Sequence, residues 1–373
     1  MLKLSILGIR GVPAMHGGFE TFAEKLSLFL VEKGWRVTVY CHEEGVKADS
    51  IWETEWKGIR RVHIPVSRTG ALGTIVFDFL ATRHALRESG LFLTLGYNTA
   101  LFNLMQRFKG QVNVINMDGI EWRREKWGVL AKTWFWINER LGCWGGNHLV
   151  ADHPEIKAHL ATRVNQSKIT MIPYGGDDVS SADESILSQF GLTAENYSII
   201  IARPEPENSI LEMVRAFSCK PRGHKLLVLG NYSAENNSYH RKILEAAGDE
   251  VIFPGAIYDS AIVQSLRFYA AFYLHGHKVG GTNPSLVEAL GAGCAVIAHD
   301  NKFNRWVAGS KAEYFSDENA CAKLFDTLLS NREKIQIMSE GSKKEFNNRF
   351  TWIDILSQYE RLLLSWAEKA GRS

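Results

Sequence analysis

Apolar strand-like runs alternate with amphipathic helix-like segments along nearly the whole chain, in two successive rounds. Residues 2–9 form a continuous apolar run closed by glycine and proline, as expected of a strand buried on both faces. Residues 17–33 set Phe19, Phe22, Ala23, Leu26, Phe29 and Leu30 at helical spacing, Gly34 stops them, and 36–41 (RVTVYC) reads as the next strand. Further strands are predicted at 60–66, 91–96, 111–117, 147–152 and 168–173, with helices at 71–88, 98–108 and 128–143. After IPYGGDD (172–178) and the polar stretch SSADES the alternation restarts, with buried strands at 197–203, 224–232, 250–256, 271–276 and 294–300. The last sixty residues read as helical throughout. Strands that alternate with helices pair in parallel, because a parallel partner is reached only by a crossover. At 373 residues the chain exceeds one ordinary core. The expected fold class is α/β with two doubly wound, Rossmann-like domains: 1–172, a linker at 173–185, and 186–351.

Bulk properties narrow the function mainly by exclusion. A net charge of +2 gives no field that argues for nucleic acid. The five cysteines (41, 143, 219, 294 and 321) are scattered without a C-x-x-C pair, which disfavours a disulfide framework or a cysteine zinc site and suits a reducing cytoplasm. The N-terminal apolar run is short and enters a glycine-rich turn, so it reads as a first strand rather than a signal peptide. No stretch reaches the roughly 20 apolar residues of a membrane span. His275 and His277 beside the glycine-rich loop, and His153 after LVAD, lack metal-ligand spacing.

The sharpest chemical signal is HKVGGTNPSLVEALGAG, set between strands AFYLHG and CAVIAHD. Paired glycines let the backbone approach a ligand. Thr282 or Asn283 can cap the helix, Pro284 suits its first turn, and the amides of 282–284 favour an anion. Glu288, about two turns on, is placed to accept from a ribose diol. Taken alone, any such turn is more often plain strand–turn–helix.

On these residues the sequence resembles the retaining family-4 glycosyltransferases of the GT-B fold, over essentially the whole chain. The resemblance implies two Rossmann-like domains facing across a cleft, the second holding a nucleotide-sugar donor. It also implies that the last helix, RFTWIDILSQYERLLL and onward (352–373), crosses back to the first domain. The family carries two glutamates here. Glu288 matches the one that holds the nucleotide ribose, whereas the one that contacts the donor sugar falls at Gly280. At the end of IIIARPEPEN, Arg203 matches the arginine that grips the donor diphosphate, while the accompanying lysine is replaced by Asn208. The donor-site residues so implied are Gly17, Gly18, Arg203, Gly281, Thr282, Asn283 and Glu288.

The N-terminal motif LGIRGVPAMHGGFETFAEKL is not a dinucleotide fingerprint, but Gly17 and Gly18 open a helix after a flexible loop, an anion-ready arrangement. Glu20 in the first turn reads otherwise as a dipole-stabilising carboxylate. The wording RGVPAxxGGFET is similar to a branch that transfers rhamnose in bacterial cell-surface polysaccharide (lipopolysaccharide-type) synthesis. In VINMDGIEWRREKWG (114–128), Asp118 follows a buried strand on a turn with Gly119, where such sheets place active-site residues. With Arg203 it is the catalytic candidate, standing where relatives place a histidine. Glu121, Arg123, Arg124 and Lys126 are acceptor candidates, with a solvated helix start as the plainer reading. Trp122, Trp127, Trp134, Trp136 and Trp144 are interleaved with basic residues, which suits docking on anionic membrane; packing against the sheet would account for at least half of these rings.

The resemblance implies metal-independent transfer with retention, L-rhamnose passing from dTDP-rhamnose to a lipid-linked saccharide. No cofactor is expected beyond the donor substrate, and the expected location is the cytoplasm, at the inner face of the membrane. Rival readings are a GT-B nucleotide-sugar epimerase, which needs no acceptor, and a non-catalytic sugar-nucleotide binder, suggested by the uncharged positions 208 and 280. An NAD oxidoreductase is disfavoured by the missing fingerprint.

Overall fold

A computed structural model describes residues 1–370 except 16, 48 and 49. His16 of the N-terminal motif and the end of the expected last helix, 371–373, thus lie outside the described residues. The chain divides into two compact units, Met1–Pro173 with Trp352–Ser373, and Tyr174–Thr351.

The first unit is built on strands β1 (Lys3–Leu7), β2 (Arg36–Glu44), β3 (Trp52–Trp56), β4 (Ile59–Val66), β5 (Leu91–Leu95), β6 (Val112–Asn116), β7 (His148–Ala151) and β8 (Ile169–Met171). Its main helices are α1 (Gly18–Glu32), α2 (Gly70–Ala85), α3 (Asn103–Phe108), α4 (Val129–Gly145) and α5 (Pro154–Leu160). The sheet runs β3-β4-β2-β1-β5-β6-β7-β8, with β1 at the centre. β1 is parallel to both neighbours, and the loops that leave β1, β5 and β6 therefore emerge at one edge. The chain leaves β1 through Gly8, whose φ is +83° and whose missing Cβ would strike the carbonyl of Leu95, so only glycine fits this turn. β3 departs from the expected all-parallel pattern. It pairs antiparallel to β4 through a hairpin at Lys57 and Gly58, where φ is 49° and 79°, both positive as a type I′ turn requires. An exposed edge strand of sequence WETEW has no apolar run to betray it.

The second unit contains β9 (Tyr197–Ile201), β10 (Lys225–Leu229), β11 (Val251–Gly255), β12 (Phe272–His275), β13 (Ala295–His299) and β14 (Glu313–Phe315). Helices α6 (Ile210–Ser218), α7 (Ser238–Glu245), α8 (Ser260–Phe268), α9 (Pro284–Gly291), α10 (Lys302–Ala308), α11 (Glu318–Leu328) and α12 (Arg332–Arg349) cover the parallel sheet β11-β10-β9-β12-β13-β14. Strand alternation divides its core between two faces. Ile199, Leu227 and Tyr273 pack on one side with Leu286, Val296 and Phe346. Ile200, Leu226 and Phe272 pack on the other with Met213, Phe217 and Phe325. Each such side chain, fully buried, contributes about 1.5–3 kcal/mol. Two expectations change here. β14 takes Tyr314 and Phe315 out of the stretch expected to be helical, three residues being too few to show a period. Residues 174–185, expected to form a linker, cluster with the second unit, where the Gly176 amide donates to the Phe350 carbonyl and that of Val179 to Gly291.

The final helix, α13 (Trp352–Ala370), packs on the first unit. Tyr359 lies against Phe22 of α1 with ring centroids 4.6 Å apart, and its hydroxyl accepts from Asn116 Nδ2 at 2.8 Å.

Candidate functional site

In the second unit two loops at the carboxyl edge of the sheet lie side by side. The first leaves β9 as Arg203–Ser209. It is folded on itself by Asn208 Nδ2 donating to the Arg203 carbonyl at 2.8 Å and by the Glu205 amide donating to the same carbonyl at 2.7 Å. Asn208, which stands at the lysine position, thus shapes the loop instead of offering charge. The second loop leaves β12 at Gly276, whose missing Cβ would collide with the Asn208 carbonyl; glycine permits this close approach. The Lys278 amide donates to the Glu207 carbonyl at 2.9 Å, joining the loops. Asn301 and Asn304 both donate to the His277 carbonyl, at 2.9 and 2.8 Å.

α9 begins where this loop ends. Asn283 caps it, accepting from the Ser285 amide at 3.1 Å, and Pro284 takes the first helical position. The expected row of free amides changes in detail. Pro284 has no N–H, and the Leu286 and Val287 amides both donate to the Asn283 carbonyl. An anion here would meet the loop backbone around Gly281 and Thr282, with Thr282 itself buried. Ser285 Oγ donates to the Ile201 carbonyl at 3.2 Å and bonds to the Tyr273 hydroxyl at 2.6 Å. The first turn of α9 is thereby fixed to the end of β9, two residues before Arg203. Arg203 is exposed, and its guanidinium forms no hydrogen bond or ion pair among the described residues.

Glu288, within α9, has a partner that sequence reasoning missed. Arg267, in the last turn of α8, places Nη2 2.6 Å from Glu288 Oε2, and the arginine side chain is 7% exposed against 35% for the glutamate. A buried guanidinium holds one carboxylate oxygen. An arginine near a helix C-terminus reads in sequence as a surface residue favoured by the dipole, so nothing in QSLRFYA announces the pair. Lys278 was also missed; its ammonium lies 3.4 Å from Glu212 Oε1, at the seam of the two loops. Behind the loops His275 and His277 stack with centroids 4.2 Å apart. Burial, followed by the charge of His277, holds the His275 pKa well below the usual imidazole range, so it serves as neutral packing.

In the first unit, Asp118 sits on the turn after β6 with φ of 51°, in the left-handed region, and its amide donates to Asn116 Oδ1 at 3.0 Å. Asn116 is the residue that bonds Tyr359 of α13, so the Asp118 turn is braced from behind. Of the four acceptor candidates, two engage each other. Glu121 is 8% exposed; its Oε1 lies 3.0 Å from Arg124 Nε and its Oε2 accepts from Trp127 Nε1 at 3.2 Å. Glu121 and Arg124 therefore bind each other and hold the turn. Arg123 and Lys126 are exposed, over the rings of Trp122 and Trp127. Below the turn, Glu139 is buried and takes Trp122 Nε1 at 2.7 Å, His159 Nε2 at 2.9 Å and Arg163 Nε at 3.2 Å. Burial pushes its pKa up, but the bonds from His159, Trp122 and Arg163 together outweigh it, and the net displacement is downward.

Gly17 caps α1 with φ of 101°, and Gly18 is the first helical residue. Two carboxylates gather at this end. Glu20 Oε1 accepts from the Arg10 amide at 3.1 Å, and its other oxygen lies where a Gly17 Cβ would be. Glu24 accepts from the Ala14 amide at 2.6 Å. An incoming anion would meet these carboxylates first. His153, buried, caps α5 by accepting from the Glu155 amide. A concavity beside Arg60 opens at the other end of β1 and β2, but Arg60 is paired there with Glu53 and Glu88.

Residues 184–345 match the family described as Glycosyl transferases group 1. The second unit carries a group 1 glycosyl transferase domain. Residues 1–177 match a family described as a domain of unknown function, DUF1972. In structure the chain is similar to sucrose-phosphate synthase from Thermosynechococcus elongatus, with a TM-score of 0.84 and 16% identity, covering 98% of this chain and 99% of that one. It is also similar to HepE of Anabaena in complex with UDP and glucose, with a TM-score of 0.76 and 15% identity over 98% and 100% of the two chains. An α,α-trehalose-phosphate synthase (UDP-forming) from Burkholderia vietnamiensis gives 0.71 and 10%, over 98% and 99%. These likenesses give the chain the GT-B fold. Among curated proteins none matches in sequence.

Proposed function

We propose that the protein is a retaining glycosyltransferase that moves L-rhamnose from dTDP-rhamnose to a lipid-linked saccharide in cell-surface polysaccharide synthesis. The observation that carries the donor part is the constellation at the paired loops: Arg203, Lys278 and Glu288 at one edge of a group 1 glycosyl transferase domain. Arg203 offers an uncommitted guanidinium, suited to bidentate contact with a diphosphate. Lys278, reaching the seam from the opposite loop, supplies the second positive charge that Asn208 does not. Glu288, with one oxygen held by Arg267, accepts from the ribose hydroxyls through the other. Gly280 and Gly281 let the loop backbone close on the phosphates.

In the transfer, the bond from the sugar anomeric carbon to the phosphate oxygen breaks and a bond to the acceptor oxygen forms on the same face. The acceptor proton passes to the departing phosphate. Charge developing on that phosphate is stabilised by Arg203 and Lys278, an electrostatic contribution that requires no metal ion in this scheme. Asp118 orients the acceptor hydroxyl, with Arg123 and Lys126 as acceptor contacts on the turn that Glu121 and Arg124 hold. Gly17 and Gly18, at the turn into α1, complete the proposed donor contacts. The rhamnose assignment rests on the resemblance of RGVPAMHGGFET. The UDP and glucose bound by HepE make UDP-glucose the first alternative donor.

A donor screen by thermal shift tests this. Ligand at about 100 times its Kd stabilises a fold by about 2.7 kcal/mol, which is readily detected. Stabilisation by dTDP-rhamnose and dTDP above UDP-glucose, UDP and GDP-mannose is expected. Selective stabilisation by a UDP or GDP donor would overturn the rhamnose assignment, and no stabilisation by any of them would overturn the donor site.

A further inference from the structure

Helix α4 is turned inside out. Its buried residues include Asn138 and Glu139, Asn138 accepting from the Leu101 amide at 2.9 Å. Five of its apolar residues face outward: Leu130 is 89% exposed, Val129 81%, Trp144 51%, Ile137 43% and Trp136 42%. At about 3.6 residues per turn, positions 129, 130, 136, 137 and 144 share one face, and Arg140 falls among them. The face continues onto α3, where Phe108 is 77% exposed and meets Trp144 edge-on at 6.1 Å. A helix of 17 residues that buries its carboxylate and exposes two tryptophans loses hydrophobic stabilisation unless something apolar covers it.

The charges on this face say what that cover is. Arg140 lies 3.4 Å from the centroid of the Trp136 ring and Arg107 lies 5.8 Å from that of Trp144. Each exposed tryptophan is thus paired with a guanidinium. The one acidic residue of α4, Glu139, is buried and bonded inward, and α3 contains none. An apolar stripe bordered by cations and free of exposed carboxylates complements a surface that is anionic outside and apolar beneath. A second copy of the same face would set arginine against arginine, which disfavours self-association.

We infer that the outer face of α4, with the adjoining end of α3, docks on an anionic phospholipid bilayer, the rings entering the headgroup boundary and the arginines engaging lipid phosphates. This goes beyond the sugar-transfer reading and stands without it, since no donor-site residue takes part. No helix among the described residues is long and apolar enough to cross a membrane, so the contact is one of lying on the surface.

Co-sedimentation of the full chain with vesicles tests the inference. Binding to phosphatidylglycerol–phosphatidylcholine vesicles is expected to exceed that to phosphatidylcholine alone by about 10-fold or more, since each basic residue near an anionic surface contributes about 1 kcal/mol, and to weaken in high salt. Leu130→Glu, at a side chain almost wholly in solvent, should abolish most of it, and Arg140→Ala should cut it several-fold. Circular dichroism and the dTDP thermal shift of both variants should match the parent, which separates failure of docking from failure of the donor site. Equal binding to both vesicle types, no binding to either, or undiminished binding by Leu130→Glu would overturn the inference. So would a dimer in light scattering that Leu130→Glu converts to monomer, because the face would then be a contact between copies.

Discussion

Asp118 holds a left-handed backbone that costs a non-glycine residue on the order of 1 kcal/mol, and its own amide is bonded to Asn116. Under the proposed transfer, this turn, braced from behind by Asn116, holds the Asp118 side chain for the acceptor. Asp118→Gly should therefore leave the melting temperature unchanged or raised while lowering kcat about 10-fold or more, and Asp118→Asn should lower kcat without the gain in stability. Loss of stability in the glycine variant with full turnover would contradict this. Under the proposed donor site, Arg267 acts through Glu288. Arg267→Met frees the carboxylate to swing, so dTDP affinity should fall about 10-fold, roughly 1.4 kcal/mol, while Arg267→Lys recovers part of it. Equal loss in both variants would mark a purely structural arginine. Arg203 could be proposed from the sequence because it follows an apolar strand, and Glu288 because it stands in the helix that follows the glycine pair. Arg267 and Lys278 could not, since what defines them is proximity across the fold: one bonds a residue on another helix, and the other stands where a neighbouring loop lacks a charge.

At the scale of elements, most strands were legible because both faces of a parallel sheet are buried and their sequences are continuously apolar. β3 and β14 escaped, one as a charged edge and the other as a three-residue strand. The interior of α4 escaped too. A run of tryptophans suggests packing, yet the structure buries Glu139 and leaves Trp136 and Trp144 outside. The Glu139 network is what fastens α4 to the turn that follows Asp118. Glu139→Ala removes the common partner of His159, Arg163 and Trp122, leaving buried donors unpaired, and should destabilise the first unit by about 3–5 kcal/mol in urea unfolding. A change below about 1 kcal/mol would show that solvent replaces the carboxylate freely.

For the molecule as a whole, the largely parallel sheets bury titratable groups, and one of these ties the stability of the second unit to pH. His224, buried beside Ser198 at 2.8 Å, has its pKa lowered to about 4, chiefly by burial. In the unfolded chain a histidine takes its proton near pH 6.5. Between those values the unfolded state binds more protons, so stability of the second unit should fall as pH drops from about 6.5 to about 4, and level off below. The loss is on the order of 3 kcal/mol for this group. Urea unfolding across that window should show the slope, and His224→Gln should flatten it; a flat profile in the parent would contradict the assignment. The two-domain plan was legible from the restart of alternation after residue 178, while the return of α13 rested on resemblance alone, since a terminal amphipathic helix does not say which core it covers.

The measurement closest to the central claim is calorimetric titration of dTDP into the parent protein, Arg203→Ala and Glu288→Ala. Binding by the parent is expected, with affinity lower by about 10- to 100-fold in each variant, as loss of a hydrogen bond to a charged group, worth about 1.5–3 kcal/mol, requires. Absence of binding to the parent, or equal affinity in all three proteins, would contradict a nucleotide-sugar site at the paired loops.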